Sequence, residues 1–185
     1  MSTLTTGKES PEVDFPMRVP SVASLENFGW REIGIYSPLI LAGISVFHLI
    51  RQPKYAISYV GLSIFNNAMN IWLKHWFRQP RPHIHVHDKT NRDYGMPSGH
   101  AQQIVFTLVF VWLVRPSWRI FWLSLTVGAV GVIERYLDRR HTLEQLCAGG
   151  VIGGAFAVVS VFMIRKTWCN GFSFEYPFGR LSGKY

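Results

Sequence analysis

Three short segments of the chain gather the residue types that bind and attack a phosphoryl group. The first is Lys-His-Trp-Phe-Arg-Gln-Pro-Arg-Pro, with Lys74 and Arg81 seven positions apart. Seven residues are nearly two helical turns, but Pro80 and Pro82 break a helix there and turn Arg81 back toward the same pocket. In the second, Met96 and Pro97 precede Ser98, Gly99 and His100, and an apolar run begins at Ala101. A helix start presents free N–H groups and the positive end of the dipole, a natural phosphate seat. Ser98 adds a hydroxyl donor, Gly99 permits close backbone approach, and His100 carries a proton exchangeable near neutral pH. The third segment holds Arg135, His141 and Gln145. Residues 141 and 145 lie one helical turn apart, so the Gln145 carbonyl can accept from one imidazole nitrogen and leave the other free to attack. Alone, each segment reads as snorkelling cations, a helix cap or a polar turn. In this order, and each beside an apolar run, they point to phosphoryl transfer with three cations supplying the charge stabilisation.

Such groups need elements to carry them. Apolar runs recur at about 33–50, 55–73, 101–114, 119–133 and 147–164 and predict five helical spans. The expected fold is an all-α integral membrane protein, a bundle of about five transmembrane helices with the active site at one membrane face. Of the 185 residues, 48% are hydrophobic and 16% charged, against roughly 25% charge in an average soluble chain. That balance excludes a disordered chain, and it leaves a soluble all-α bundle too few polar faces to cover five apolar runs. The expected organisation is a polar N-terminal segment over 1–32, a membrane-embedded domain over 33–166 and an aromatic tail over 167–185. Within the first of these, 21–32 reads either as a short interfacial helix or as a linker. No cleavable leader is expected at 1–32, so entry into the bilayer falls to an internal span.

The net charge of +8, from 19 Lys and Arg against 11 Asp and Glu, is scattered in pairs such as Arg51 with Lys54 and Arg165 with Lys166. Scatter of this kind suits a bilayer surface and excludes nucleic acid as the expected partner. Cys147 and Cys169 imply no disulfide framework. Counting crossings puts 74–100 and 135–146 on one side, while the short basic loops at 51–54 and 115–118 mark the cytoplasmic face. The site is therefore expected on the lumenal or exterior side. Asn66, Asn67 and Asn70 are expected to face the bundle interior, since an unpaired amide in lipid is costly. Gly149, Gly150, Gly153 and Gly154 suit close helix packing. His83, His85 and His87 alternate and read as a polar loop over the pocket mouth, not as a metal site.

Lys74-x6-Arg81-Pro82, Pro97-Ser98-Gly99-His100 and Arg135-x5-His141 resemble the three-part signature of the type 2 phosphatidic acid phosphatase superfamily, over about residues 55–165. Asn70 four residues before Lys74, Tyr94-Gly-Met-Pro-Ser98 and His141-Thr-x-x-Gln145 resemble its dolichyl diphosphatase branch. The resemblance implies that His141 is the nucleophile, forming a phosphohistidine, and that His100 protonates the departing lipid phosphate and then activates water. It implies that Lys74, Arg81, Arg135, Ser98 and Gly99 cradle the phosphate, with no metal or other cofactor. Gln145 and Glu134 stand where the superfamily usually has Asp and Ser, and Glu134 could either hold Arg135 or compete with phosphate for it. The implied substrate is a polyprenyl diphosphate at the lumenal face of the endoplasmic reticulum. Phosphatidate, undecaprenyl diphosphate and a catalytically inactive lipid-binding role are the alternatives.

Overall fold

The structure is a computed structural model that describes residues 28–82 and 94–168. Most of the N-terminal segment, the His83/His85/His87 loop and the aromatic tail lie outside the described residues. Five helices follow in chain order: α1 (Phe28–Leu49), α2 (Pro53–Phe77), α3 (Gly99–Val114), α4 (Trp118–Leu137) and α5 (Leu143–Trp168). The expected all-α bundle is found, with no strand among the described residues. Helix α1 begins before position 33, so residues 28–32 belong to it. Pro53 opens α2, and the left-handed Arg78 (φ 49°) closes it two residues before Pro80.

Three helices, α1, α4 and α5, are long and apolar enough to cross a membrane. The other two fall short of that length or apolarity for different physical reasons. Helix α3 is apolar but has 16 residues, about 24 Å at the α-helical rise. It is the central helix, burying Ile104, Phe106, Phe110 and Val111 among the others, so protein rather than lipid surrounds it. Helix α2 has 25 residues but buries Asn66 and Asn70, which lower its apolarity. Large apolar side chains point outward around the bundle, including Phe47, Ile57, Trp122 and Val151, as a lipid-facing surface requires.

The bundle is divided along its length. At the end away from Lys74, Gly99 and His141, Leu49, Tyr59, Phe106, Phe110, Val111, Ala157 and Val161 form the apolar core. There the Tyr59 hydroxyl meets Thr107 Oγ1 at 2.9 Å, and Arg115 Nη1 donates to the His48 carbonyl at 2.6 Å. Toward the other end, amides replace apolar side chains between α2 and α3. Asn70 Nδ2 donates to Gln102 Oε1 at 2.8 Å, Gln102 Nε2 to Asn66 Oδ1 at 2.9 Å, and Asn66 Nδ2 to Gln103 Oε1 at 2.8 Å. Asn66 and Asn70 thus face inward as expected, whereas Asn67 is exposed along a cavity.

Helix α5 lies tightly against α3 because its glycines present no side chain. A Cβ at Gly149 would run into the Ser98 carbonyl and one at Gly153 into the Gln102 carbonyl. At Gly154 the nearest atom would be Val105 Cγ1 at 3.4 Å, an ordinary contact. Gly153→Ala should therefore destabilise the fold by about 1–3 kcal/mol, as overpacking does, while Gly154→Ala leaves it nearly unchanged. Thermal unfolding of the two variants in one detergent distinguishes these outcomes.

Candidate active site

The end of α2, the start of α3, the end of α4 and the start of α5 lie together at one end of the bundle. A cavity of about 630 Å³ opens among them, walled by Asn70, Lys74, Arg81, Gly99, His100, Arg135, Arg140 and His141. All three sequence segments therefore reach one space. Lys74 stands in the last turn of α2, and beyond it the chain leaves the helix, so Arg81 returns to the same cavity despite the Pro80 break. The amino end of α3 lies there too, with Gly99 and His100 on the wall.

His141 sits between α4 and α5, is 5% exposed, and places Nδ1 3.1 Å from Gln145 Oε1. A glutamine oxygen only accepts, so Nδ1 carries the hydrogen and Nε2 is the nitrogen that Gln145 does not engage. The amide cannot turn over freely. Gln145 Nε2 donates to Gln79 Oε1 at 3.2 Å and to the Pro80 carbonyl at 3.1 Å. A carboxylate at 145 would meet two acceptors there, so an amide fits both neighbours where an aspartate would serve only the histidine. Gly95 completes the seat: a Cβ on it would lie 2.6 Å from the Gln145 amide. Burial lowers the His141 imidazole from 6.5 to about 4, opposed by the Gln145 hydrogen bond and reinforced by Arg81 and Lys74. A hydrogen bond to the Gly95 backbone also opposes the lowering, and the ring is neutral across the physiological range.

Arg135 and Glu134 are both buried in α4. Glu134 Oε2 lies 2.9 Å from Arg135 Nε, a close ion pair without the alignment of a hydrogen bond. The carboxylate thus engages the guanidinium by its Nε, which supports the holding role. Removing one partner of a buried pair strands the other charge.

Ser98 and Arg140 take different places at this cavity. Ser98 is fully buried and does not line the cavity. Its backbone N–H donates to the Gln145 carbonyl at 3.0 Å, which ties the amino end of α3 to α5, and its buried hydroxyl has no hydrogen-bond partner. Arg140 does line the cavity, anchored by Asp138 Oδ2 at 3.4 Å. Sequence reasoning passed over Arg140 as one basic residue among several near the helix end. It passed over Gln79 too, since an uncharged residue between two cations gives no signal of its own. Among the described residues no cluster of His, Cys, Asp and Glu has the makings of a metal site; His83, His85 and His87 lie outside them.

A helical membrane bundle with cations and two imidazoles around one cavity defines a class, and comparison with known proteins names it. The PAP2 superfamily model matches residues 55–169, and the chain belongs to that superfamily. It is similar to Dolichyldiphosphatase 1 of Rhinolophus ferrumequinum, 28% identical over 136 residues, covering 65% of this chain and 57% of that protein. Dolichyldiphosphatase 1 of Homo sapiens is 27% identical over 136 residues, covering 64% and 57%. Lipid phosphate phosphatase epsilon 1, chloroplastic, of Arabidopsis thaliana is 31% identical over 119 residues, covering 60% and 41%. The chain thus spans little more than half the length of the dolichyldiphosphatases it matches. No solved structure matches it.

Two measurements address the histidine and its partner. On the reading of His141 as the nucleophile of a phosphatase, His141→Ala should abolish phosphate release, and Gln145→Ala should reduce kcat by about 10²-fold or more, within the range for misoriented catalytic imidazoles. Because His141 is already held low, its neutral form persists into acid. After correction for ionisation of the substrate, the acid limb of kcat/KM should fall near pH 4 rather than 6.5, and Gln145→Ala should not move it upward.

Proposed function

We infer that the chain hydrolyses a polyprenyl diphosphate, most like a dolichyl diphosphate, to the monophosphate and inorganic phosphate. The observation that carries this reading is the shape of the cavity. Its cationic end holds Lys74, Arg81, Arg135, His100 and His141, and its wall continues along α1 and α2 through Leu39, Ile64 and Ile71. These three side chains are 70%, 68% and 54% exposed, so the cavity is open sideways between two helices to the hydrocarbon. A phosphate with a long apolar chain fits such a space, whereas a soluble phosphate ester would leave the apolar arm empty.

In the proposed reaction His141 Nε2 attacks the terminal phosphorus while Gln145 holds Nδ1–H. Lys74, Arg81 and Arg135, with the amide of Gly99 at the head of α3, stabilise the charge on the equatorial oxygens. Ser98 supports this set through the backbone, and its hydroxyl is available to an oxygen reaching the head of α3. The bond from phosphorus to the bridging oxygen breaks, and its electron pair leaves with the lipid monophosphate, which His100 protonates. His100 then takes a proton from water as that water attacks the phosphohistidine, releasing inorganic phosphate and free His141. Three fixed cations supply the charge stabilisation that phosphoryl transfer needs, and the proposed reaction uses no metal. The basic residues at the opposite end, Arg51, Lys54, Arg115 and Arg119 in the short loops and the helix starts beside them, support a cytoplasmic assignment for that end. The site then faces the lumen, and the endoplasmic reticulum is the proposed membrane.

Phosphate release from dolichyl diphosphate, phosphatidate and undecaprenyl diphosphate, compared side by side in detergent with EDTA, tests the assignment. Dolichyl diphosphate should give the highest kcat/KM, and rapid quenching with labelled substrate should trap an acid-labile phosphate that His141→Ala lacks. A higher kcat/KM with phosphatidate would reassign the substrate. Binding without turnover or label would make the chain a non-catalytic lipid-binding protein.

A further inference from the structure

Helix α1 lies before the residues matched by the family model, yet it reaches the site. His100 Nε2 is 3.0 Å from the backbone carbonyl of Ile35 in α1. A carbonyl can only accept, so Nε2 must carry a hydrogen, whatever the protonation of the rest of the ring. That leaves Nδ1 as the nitrogen available to the cavity, whose wall His100 forms.

The sequence of α1 explains why such an acceptor is found on a helix. Pro38 lies inside α1 and itself lines the cavity. A proline has no N–H for the carbonyl four residues back, and its ring presses on that carbonyl and loosens the turn. The carbonyl four back is that of Gly34, and the Ser37 hydroxyl donates to it at 2.8 Å. Ile35 belongs to the same turn, where a carbonyl can accept from outside the helix. The turn is fixed against the helix that bears Arg135. A Cβ at Gly34 would lie 2.6 Å from Glu134 Cβ, and one at Gly131 would run into the Ser37 hydroxyl. Outside that contact, Arg31 pairs with Asp138 at 3.2 Å.

We propose that the Pro38 turn of α1 positions the proton donor of the reaction: the Ile35 carbonyl accepts Nε2–H of His100 and reserves Nδ1–H for the departing oxygen. The inference rests on the reading of His100 as that donor. When the bond to phosphorus breaks, Nδ1 gives its proton to the oxygen that takes the electron pair. Nε2 keeps its own, bonded to Ile35 throughout. The carbonyl hydrogen bond favours the imidazolium that must form before donation, offsetting in part the burial and the Arg135 charge that disfavour it. Ile35 touches no substrate and is a positioning residue.

A donor matters most when the leaving oxygen is strongly basic, so the test varies the leaving group in full-length protein in detergent. The probes are phenyl phosphate, with a basic leaving oxygen, and p-nitrophenyl phosphate, with a weakly basic one. Their kcat/KM values report the step that forms the phosphoenzyme. Pro38→Ala restores the helical N–H. Replacing Tyr36 by its α-hydroxy acid analogue makes the Ile35 linkage an ester, whose carbonyl is a poorer acceptor. Each should lower kcat/KM for phenyl phosphate about 10-fold and change that for p-nitrophenyl phosphate less than about 2-fold, at the scale of a weakened general acid. The same ester at Ile44, away from the site, should change neither. His100→Ala is the control for the underlying reading and should show the same selectivity more strongly. If His100→Ala loses both substrates equally, the assignment of His100 as donor fails. If His100→Ala is selective but Pro38→Ala and the Tyr36 ester are not, the role of α1 alone is overturned. Should Pro38→Ala fold poorly, judged by its thermal unfolding, the ester variant decides by itself.

Discussion

One amide side chain joins the parts of this site. Gln145 Oε1 accepts from His141 Nδ1, its Nε2 donates to Gln79 and to the Pro80 carbonyl, and its own backbone carbonyl takes the Ser98 N–H. The three segments that carry the cations and imidazoles are far apart in the chain, and each touches this residue. An amide suits the position because it is donor and acceptor at once. A carboxylate would serve His141 and repel Pro80; an apolar side chain would leave buried polar groups on three sides without partners.

The same requirement explains the rest of the bundle. In a bilayer no water is at hand to satisfy polar groups, so those in the interior must satisfy one another. The ladder from Asn70 through Gln102 and Asn66 to Gln103 does this, and its last amide donates to Ser63 Oγ at 3.1 Å. It lets a cavity lined by cations be set at the end of a helix bundle without exposing Asn66 and Asn70 to lipid. The glycines of α5 complete the arrangement, since the α3 backbone that bears the ladder and His100 can approach only where no Cβ intervenes. Polar pairing and close backbone contact thus depend on one another, and both converge on α3, which is short because protein encloses it.

Glu134 shows how such a site tolerates an unusual residue. A fully buried carboxylate beside a cavity for anions would repel its ligand if left alone. Held against Arg135 and under the glycine turn of α1, it engages the guanidinium along its Nε side. The arrangement links α1, through Gly34, to the helix that carries Arg135.

Much of this was legible in the residues themselves. Five apolar runs, proline and glycine punctuation, and three spaced clusters of cations and imidazoles are local patterns, and local patterns fix helices, their breaks and the chemistry on offer. The inward placement of Asn66 and Asn70 followed as well, because an amide has few places to go in a membrane. Other features were not written in any window of sequence. That α2 is less apolar and α3 shorter than a free span reflects what surrounds them. Gln79, Arg140 and the Ile35 carbonyl are ordinary until a distant segment comes to rest against them, and the bond from the Ser98 backbone to α5 joins segments far apart in the chain. Sequence by itself determined which groups were available and which helices could carry them, since those depend on spacing along one chain. Only the tertiary structure decided which nitrogen of each histidine is committed and which side of Arg135 is occupied, since a hydrogen bond depends on distance and direction between residues that the chain keeps far apart.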